Sequence, residues 1–307
     1  MKIFLVCLAL AVLAGLWLLY APDKPAAQLA AIYITPEDHF IAVMGVRLRV
    51  RISGPPGTPA VILLHGFGAS LETWQPWADA LSAKYHVIRY DLPGFGLTGV
   101  DPSGDYTDAR SVLILAALMD KLGLAQASLI GNSLGGKIAW NFAAAYPDRV
   151  SKLVLVSPDG FASPGFEYGV KPKLPAMLYL LPYTMPRALL RMNLAVAYAN
   201  PKRLSDATLT RYRDMMLAPG DRRAMLARMA QVMLVPPAPL LAKIKTPTLL
   251  LWGEQDGMIP FSNSADYLRD MPNARLVALP GLGHVPFEED PAGSIGPVQA
   301  FLGGAEP

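Results

Sequence analysis

The chain has 307 residues, enough for one α/β domain with an inserted subdomain. A net charge of +3 leaves no electrostatic footprint for a nucleic-acid partner, and the single cysteine, Cys7, excludes an intramolecular disulfide. The hydrophobic fraction of 52% is slightly high for a soluble domain, and the N-terminus supplies part of the excess.

Residues 3–20 are an uninterrupted apolar run after Met1 and Lys2. At about 1.5 Å per residue the run spans roughly 27 Å, close to the hydrocarbon thickness of a bilayer. It exceeds the usual core of a cleaved signal peptide, and no clear A-x-A site follows. Residues 1–20 therefore read as a transmembrane anchor, with removal as a secretory signal the alternative. Lys2 and the amino terminus favour the cytoplasmic side, which puts the following domain on the periplasmic or extracellular side; Lys24 opposes this. Residues 21–36, with their prolines and alanines, read as a linker that lifts the domain off the surface.

Residues 40–43 and 46–52, joined at Met44-Gly45, predict an opening hairpin. Short apolar runs follow at 60–64, 86–90, 127–130, 153–156, 248–252 and 275–279. They alternate with helical patterns at 71–83, 109–122 and 137–146. This alternation predicts an α/β fold with a mostly parallel central sheet and helices on both faces. The interval 161–243 breaks the rhythm: it lacks a convincing strand and is rich in Pro, Met, Leu and Tyr. It is expected to be a helical cap, inserted after the sixth strand between core segments 37–160 and 244–307. Within it, residues 175–182 are apolar enough to line an acyl or aromatic pocket, or simply to pack the cap on the core.

Gly131-Asn132-Ser133-Leu134-Gly135-Gly136 lies between a predicted strand and a predicted helix. A serine at the apex of a strand–turn–helix with small neighbours is the pattern of a nucleophile elbow. It points the Ser133 hydroxyl out of the fold and sets the Leu134 N–H where an oxyanion develops. A serine hydroxyl needs a base within reach. Of the four histidines, His284 sits on a glycine-rich loop behind a predicted strand, while His39 and His86 lie beside strands as ordinary side chains. The base needs an acid to orient it. Asp256, just past the run at 248–252, is preferred over Glu254 and Asp159 because its loop directly precedes the His284 strand. The chain order Ser133, Asp256, His284 differs from those of trypsin-like and subtilisin-like proteases. His65-Gly66-Phe67-Gly68 follows the run at 60–64, and the Phe67 N–H is the expected second oxyanion donor. His65 reads as a hydrogen-bonded structural residue.

These motifs, with Asp91-Leu92-Pro93-Gly94-Phe95-Gly96 and Trp252-Gly253-Glu254-Gln255-Asp256, resemble the alpha/beta-hydrolase superfamily in its esterase, lipase and meta-cleavage-product hydrolase neighbourhood. The resemblance covers residues 60 to 302 and implies a Ser-His-Asp serine hydrolase acting on carboxylic esters, with no metal or organic cofactor, and the apolar N-terminal run and cap make lipophilic esters the expected substrates. It is weakly specific for substrate. Meta-cleavage-product hydrolases share the Gly-Asn-Ser-x-Gly-Gly elbow but commonly carry a tryptophan after the histidine, where this chain has Val285. Haloalkane dehalogenases and epoxide hydrolases carry an aspartate at the elbow, where this chain has Ser133. Haloperoxidase-like or acyltransferase activity shares the triad and stays open. A non-catalytic anchored binding protein is the remaining alternative, and it usually lacks a triad member.

Overall fold

A computed structural model of the chain describes Phe4, Gly15, residues 19–162 and residues 167–304. Its strands are β1 (Asp38–Val43), β2 (Val46–Ser53), β3 (Ala60–Leu64), β4 (His86–Tyr90), β5 (Ala127–Asn132), β6 (Val150–Val156), β7 (Thr248–Gly253) and β8 (Ala274–Leu279). They form one sheet in the order β1-β2-β4-β3-β5-β6-β7-β8. β2 pairs antiparallel with both β1 and β4, and every pairing from β4 to β8 is parallel. The expected α/β architecture with a mostly parallel sheet is thus the one observed.

Parallel strands covered on both faces read as continuous apolar runs, and β3 is buried at all five positions. The period of two splits them. Ile62 and Leu64 join a core with the helices Asp108–Lys121 and Leu134–Ala145. Val61 and Leu63 join the opposite core, with Trp74, Trp77 and the helix Pro291–Gly303. Each fully buried Leu or Ile contributes roughly 1.5–3 kcal/mol relative to an exposed one, so both faces hold the sheet.

Because these strands run the same way, the loops after β3, β5, β7 and β8 all emerge at one edge, the edge where open α/β sheets bind ligands. Between β6 and β7 the described residues carry the helices Arg187–Ala195, Asp206–Met216, Asp221–Gln231 and Ala238–Leu241, and no strand. This segment reaches over the loops: a Cβ at Gly68 would lie 2.7 Å from the Met216 Cε, and the His284 N–H donates to the Ala197 carbonyl at 2.7 Å.

Three expectations need correction. Residues 21–36 are no free linker: Ala26–Tyr33 is a helix, and the segment is bonded to both core and cap. Lys24 pairs with Asp214 at 2.7 Å and Asp23 with Arg222 at 2.6 Å. The Tyr33 carbonyl, at the helix's negative end, accepts from the buried Arg49 and Arg51 guanidinium groups at 2.5 and 2.9 Å. The pattern at 71–83 resolves into a short turn, Leu71–Trp74, and a helix, Gln75–Leu81, because Pro76 suits only a first helical turn. Of the two readings of residues 175–182, pocket lining is the one corrected: Met177, Tyr179 and Leu180 are exposed, while Leu181 packs on the core. The anchor expected over residues 1–20 lies outside the described residues, apart from Phe4, Gly15, Leu19 and Tyr20. No helix among the described residues is long and apolar enough to cross a membrane.

Candidate active site

β5 ends at Asn132 and the helix Leu134–Ala145 begins two residues later, so Ser133 alone makes the turn. It does so at φ 52° and ψ −118°, a conformation that costs a non-glycine residue about 1–3 kcal/mol. The neighbouring glycines are demanded by contact. A Cβ at Gly131 would lie 2.3 Å from the Gly135 carbonyl oxygen, and one at Gly135 would lie 2.2 Å from that of Leu64. Only bare backbone lets the helix start pack this close to the ends of β3 and β5. The helix begins three residues before the expected position, at Leu134, which makes the Leu134 N–H a free first-turn donor.

The loop after β3 runs against the serine. A Cβ at Gly66 would lie 3.3 Å from the Ser133 Cβ and 2.9 Å from the Asn132 Oδ1. Phe67 follows, its ring edge-on to Phe95 at 5.3 Å. Among the described residues the Phe67 and Leu134 N–H groups have no protein acceptor. His65 holds this loop in place. Its Nε2 accepts the Leu92 N–H at 2.9 Å, so its Nδ1 carries the proton and donates to the Gly66 carbonyl at 2.8 Å. Burial lowers its pKa and keeps it neutral, the structural part expected of it. Asp91 braces the other side, accepting from the N–H groups of Leu71 at 2.7 Å and Leu97 at 2.8 Å.

His284 and Asp256 meet from the ends of β8 and β7. The His284 Nδ1 lies 2.8 Å from the Asp256 Oδ2, and both side chains are buried. The other carboxylate oxygen accepts from the N–H groups of Met258 and Ile259 at 2.8 and 2.9 Å. Burial is the strongest influence on Asp256 and pushes its pKa up. The positive charge that His284 carries when protonated, its hydrogen bond and the Ile259 N–H together outweigh it and hold the carboxyl below its usual range. An ionised carboxylate only accepts, so Nδ1 carries the proton and Nε2 presents its lone pair. Of the competitors, Glu254 is exposed, and Asp159 lies 3.8 Å from the Lys137 Nζ.

Three residues to which the sequence reading gives no role join these parts. The Asn132 amide donates to the carbonyls of Val156 and His284, both at 3.1 Å, tying the elbow strand to the histidine loop. Glu289 accepts from the backbone N–H groups of Gly283 (2.8 Å), Asn200 (2.8 Å) and Ala199 (3.1 Å), fastening that loop to the cap. Glu288 accepts from Tyr198 at 2.8 Å and Tyr212 at 3.1 Å, and also pairs with Arg211. Among the described residues no three His, Cys, Asp or Glu side chains are grouped to hold a metal ion.

Comparison with known proteins agrees with this architecture. The family model for the alpha/beta hydrolase fold matches residues 59–291. A 2-hydroxy-6-oxo-6-phenylhexa-2,4-dienoate hydrolase from Burkholderia cepacia is 30% identical over 250 residues, 77% of this chain and 85% of that protein. A solved membrane phospholipase A, a bacterial virulence factor, superposes with a TM-score of 0.75 at 28% identity and 99% coverage of both chains. A meta-cleavage product hydrolase from Pseudomonas fluorescens IP01 gives a TM-score of 0.73 at 25% identity, covering 87% of this chain and 98% of its own. The chain belongs to the alpha/beta-hydrolase family.

Proposed function

We propose that the chain is a serine hydrolase that cleaves lipophilic carboxylic esters, with Ser133 as nucleophile, His284 as base and Asp256 as orienting acid. The observation that carries this reading is the 2.8 Å bond between Asp256 and the His284 Nδ1, which leaves Nε2 free to take a proton. Ser133 Oγ attacks the acyl carbon while Nε2 accepts its proton. The negative charge on the carbonyl oxygen falls to the N–H groups of Phe67 and Leu134. Nε2 then protonates the departing alcohol, and water releases the acyl group from Ser133 by the same steps. The apolar run at residues 3–20 supports attachment to a membrane, with the domain on its non-cytoplasmic side. The likeness to a membrane phospholipase A over 99% of both chains supports a lipid ester as substrate.

A second reading, hydrolysis of a C–C bond in a dienoate, has the support of the Burkholderia cepacia relative. Val285, in place of the tryptophan common after the histidine in such enzymes, favours the ester. Turnover of p-nitrophenyl acetate, butyrate, octanoate and palmitate by the full chain, beside Ser133→Ala, tests the choice. Ester turnover that falls by roughly 10⁴–10⁶-fold in the variant supports the proposal. A folded protein that reacts with a fluorophosphonate at Ser133 yet turns over no ester overturns it in favour of the C–C reaction.

A further inference from the structure

The outward face of the cap between residues 176 and 196 is apolar. Met177, Tyr179, Leu180 and Tyr183, on and just after the turn Ala176–Leu180, are exposed, Met177 by 71% and Tyr179 by 59%. On the next helix, Arg187–Ala195, Leu189 and Met192 share one side with the following Val196, and all three are exposed, Met192 by 68%. Single exposed apolar side chains are ordinary, but a run of this extent marks a contact surface. The stretch of sequence that carries it is also basic. No acidic residue occurs between Glu167 and Asp206, while Lys171, Lys173, Arg187, Arg191, Lys202 and Arg203 do. Arg187 and Arg191 share Asp206.

The course of the N-terminal segment identifies what covers this face. Tyr20 forms an antiparallel bridge with Thr184, and the Ala21 N–H donates to the Tyr183 carbonyl at 2.9 Å. The Lys24 N–H donates to the Leu217 carbonyl at 2.7 Å, so residues 20–24 are clamped to the cap before the first helix begins. Any bilayer holding the apolar run at residues 3–20 is therefore within a few side-chain lengths of Tyr183 and Tyr179. This step rests on the reading of that run as an anchor.

We propose that the cap face formed by Met177, Tyr179, Leu180, Tyr183, Leu189 and Met192 lies on the bilayer. Its apolar side chains enter the headgroup–acyl boundary, and the neighbouring lysines meet anionic headgroups. Tyrosine suits that depth, since its ring is apolar and its hydroxyl stays wet. The arrangement bears on the site because the same segment touches both catalytic loops. The Val196 carbonyl would lie 2.7 Å from a Cβ at Gly257, beside Asp256, and the Ala197 carbonyl holds the His284 N–H.

The test uses the full chain with Cys7→Ser, carrying one cysteine at Tyr179→Cys, Met192→Cys or Lys121→Cys, each labelled with a nitrobenzoxadiazole fluorophore. Lys121 ends a helix behind the sheet, at the edge opposite the site. The proteins are reconstituted in phosphatidylethanolamine–phosphatidylglycerol vesicles that contain a lipid with a nitroxide high on its acyl chain. Resistance to alkaline carbonate extraction reports the anchor separately, and matching melting curves report the fold. The expected result is a blue shift and loss of emission at positions 179 and 192, none at 121, and resistance to extraction. Anchored protein without loss of emission at 179 and 192 overturns the docking surface and leaves the anchor standing. Extraction of the protein together with unquenched labels overturns both, and a blue shift without quenching assigns the face to a second copy or to the N-terminal run itself.

Discussion

Replacement of Gly135 by alanine tests how the elbow is built. The added Cβ would lie 2.2 Å from the Leu64 carbonyl oxygen and 2.6 Å from that of His65. Carbon and oxygen rest at roughly 3.3 Å or more, so the helix start must retreat by about 1 Å. Both obstacles are backbone in a buried sheet, which puts the cost at the upper end of overpacking, about 3 kcal/mol. At about 2.1 cal/mol/K of unfolding entropy per residue, that is a fall in melting temperature of roughly 5 °C for a chain of this size. The same retreat carries Ser133 and the Leu134 N–H away from the loop at Gly66, and a misplacement of about 1 Å costs roughly 10²-fold in rate. Gly303→Ala is the matched control. It ends the helix Pro291–Gly303 with nothing within 4 Å of its added Cβ, and should change stability by no more than about 0.5 kcal/mol with unchanged activity. Melting curves and p-nitrophenyl butyrate kinetics read both variants. A Gly135→Ala protein that melts with the parent and keeps its kcat/KM would refute the close seating of this helix.

Glu289→Ala strips three backbone N–H groups of their acceptor and should lower kcat roughly 10–100-fold with KM little changed, whereas Glu289→Gln recovers part of the loss. Equal activity of all three proteins would show that the cap does not steady His284. Asp256→Asn should reduce kcat by roughly 10³–10⁴-fold while the fold survives. The pKa of Asp256 is depressed in the folded state, so its stabilisation is present above the usual value of 3.8 and lost as pH falls through the lowered one. Melting of the parent should therefore drop more steeply than that of Asp256→Asn in this acid range. Asp221 has the opposite sign. Burial, with Asp91 and Asp23 nearby, raises its pKa well above 3.8, and neither carboxylate oxygen has a hydrogen-bond partner among the described residues. Stability is lost as pH rises from 3.8 towards that raised value, so the melting gain of Asp221→Asn should grow over the same interval and vanish at lower pH. A gain independent of pH would contradict the raised pKa.

The interior strands were legible because a strand covered on both faces has to be apolar throughout, as β3 and β7 are. The strand and loop after which each of Ser133, Asp256 and His284 falls was legible for the same reason. The elbow's boundaries were less so. Leu134-Gly135-Gly136 carries no helical period, and its helix start is imposed by packing against the ends of β3 and β5. Residues 21–36 misled because alanine and proline are equally at home in a linker and in a short docked helix. The clue was in β2, where Arg49 and Arg51 alternate with apolar residues as if facing solvent. Both are buried, against Asp38, Glu72 and the Tyr33 carbonyl. Glu289 left no local sign at all: its three donors come from residues 199, 200 and 283 and meet only in the fold.

The place of the cap between β6 and β7 also sets a problem for the newly made chain. β6 is complete at Val156, but the strand that covers its free edge starts only at Thr248. At about 5–20 residues per second, synthesis of the intervening 91 residues takes roughly 5–18 s. For that time Leu153, Val154, Leu155 and Val156 offer an unpaired parallel edge to any extended chain nearby. The same interval delays closure of the Asn132 bond to His284, so the nascent chain carries a formed elbow strand before the His284 loop can join it. The proposed site is complete only once β7 and β8 are made, after the edge that invites aggregation has been sealed.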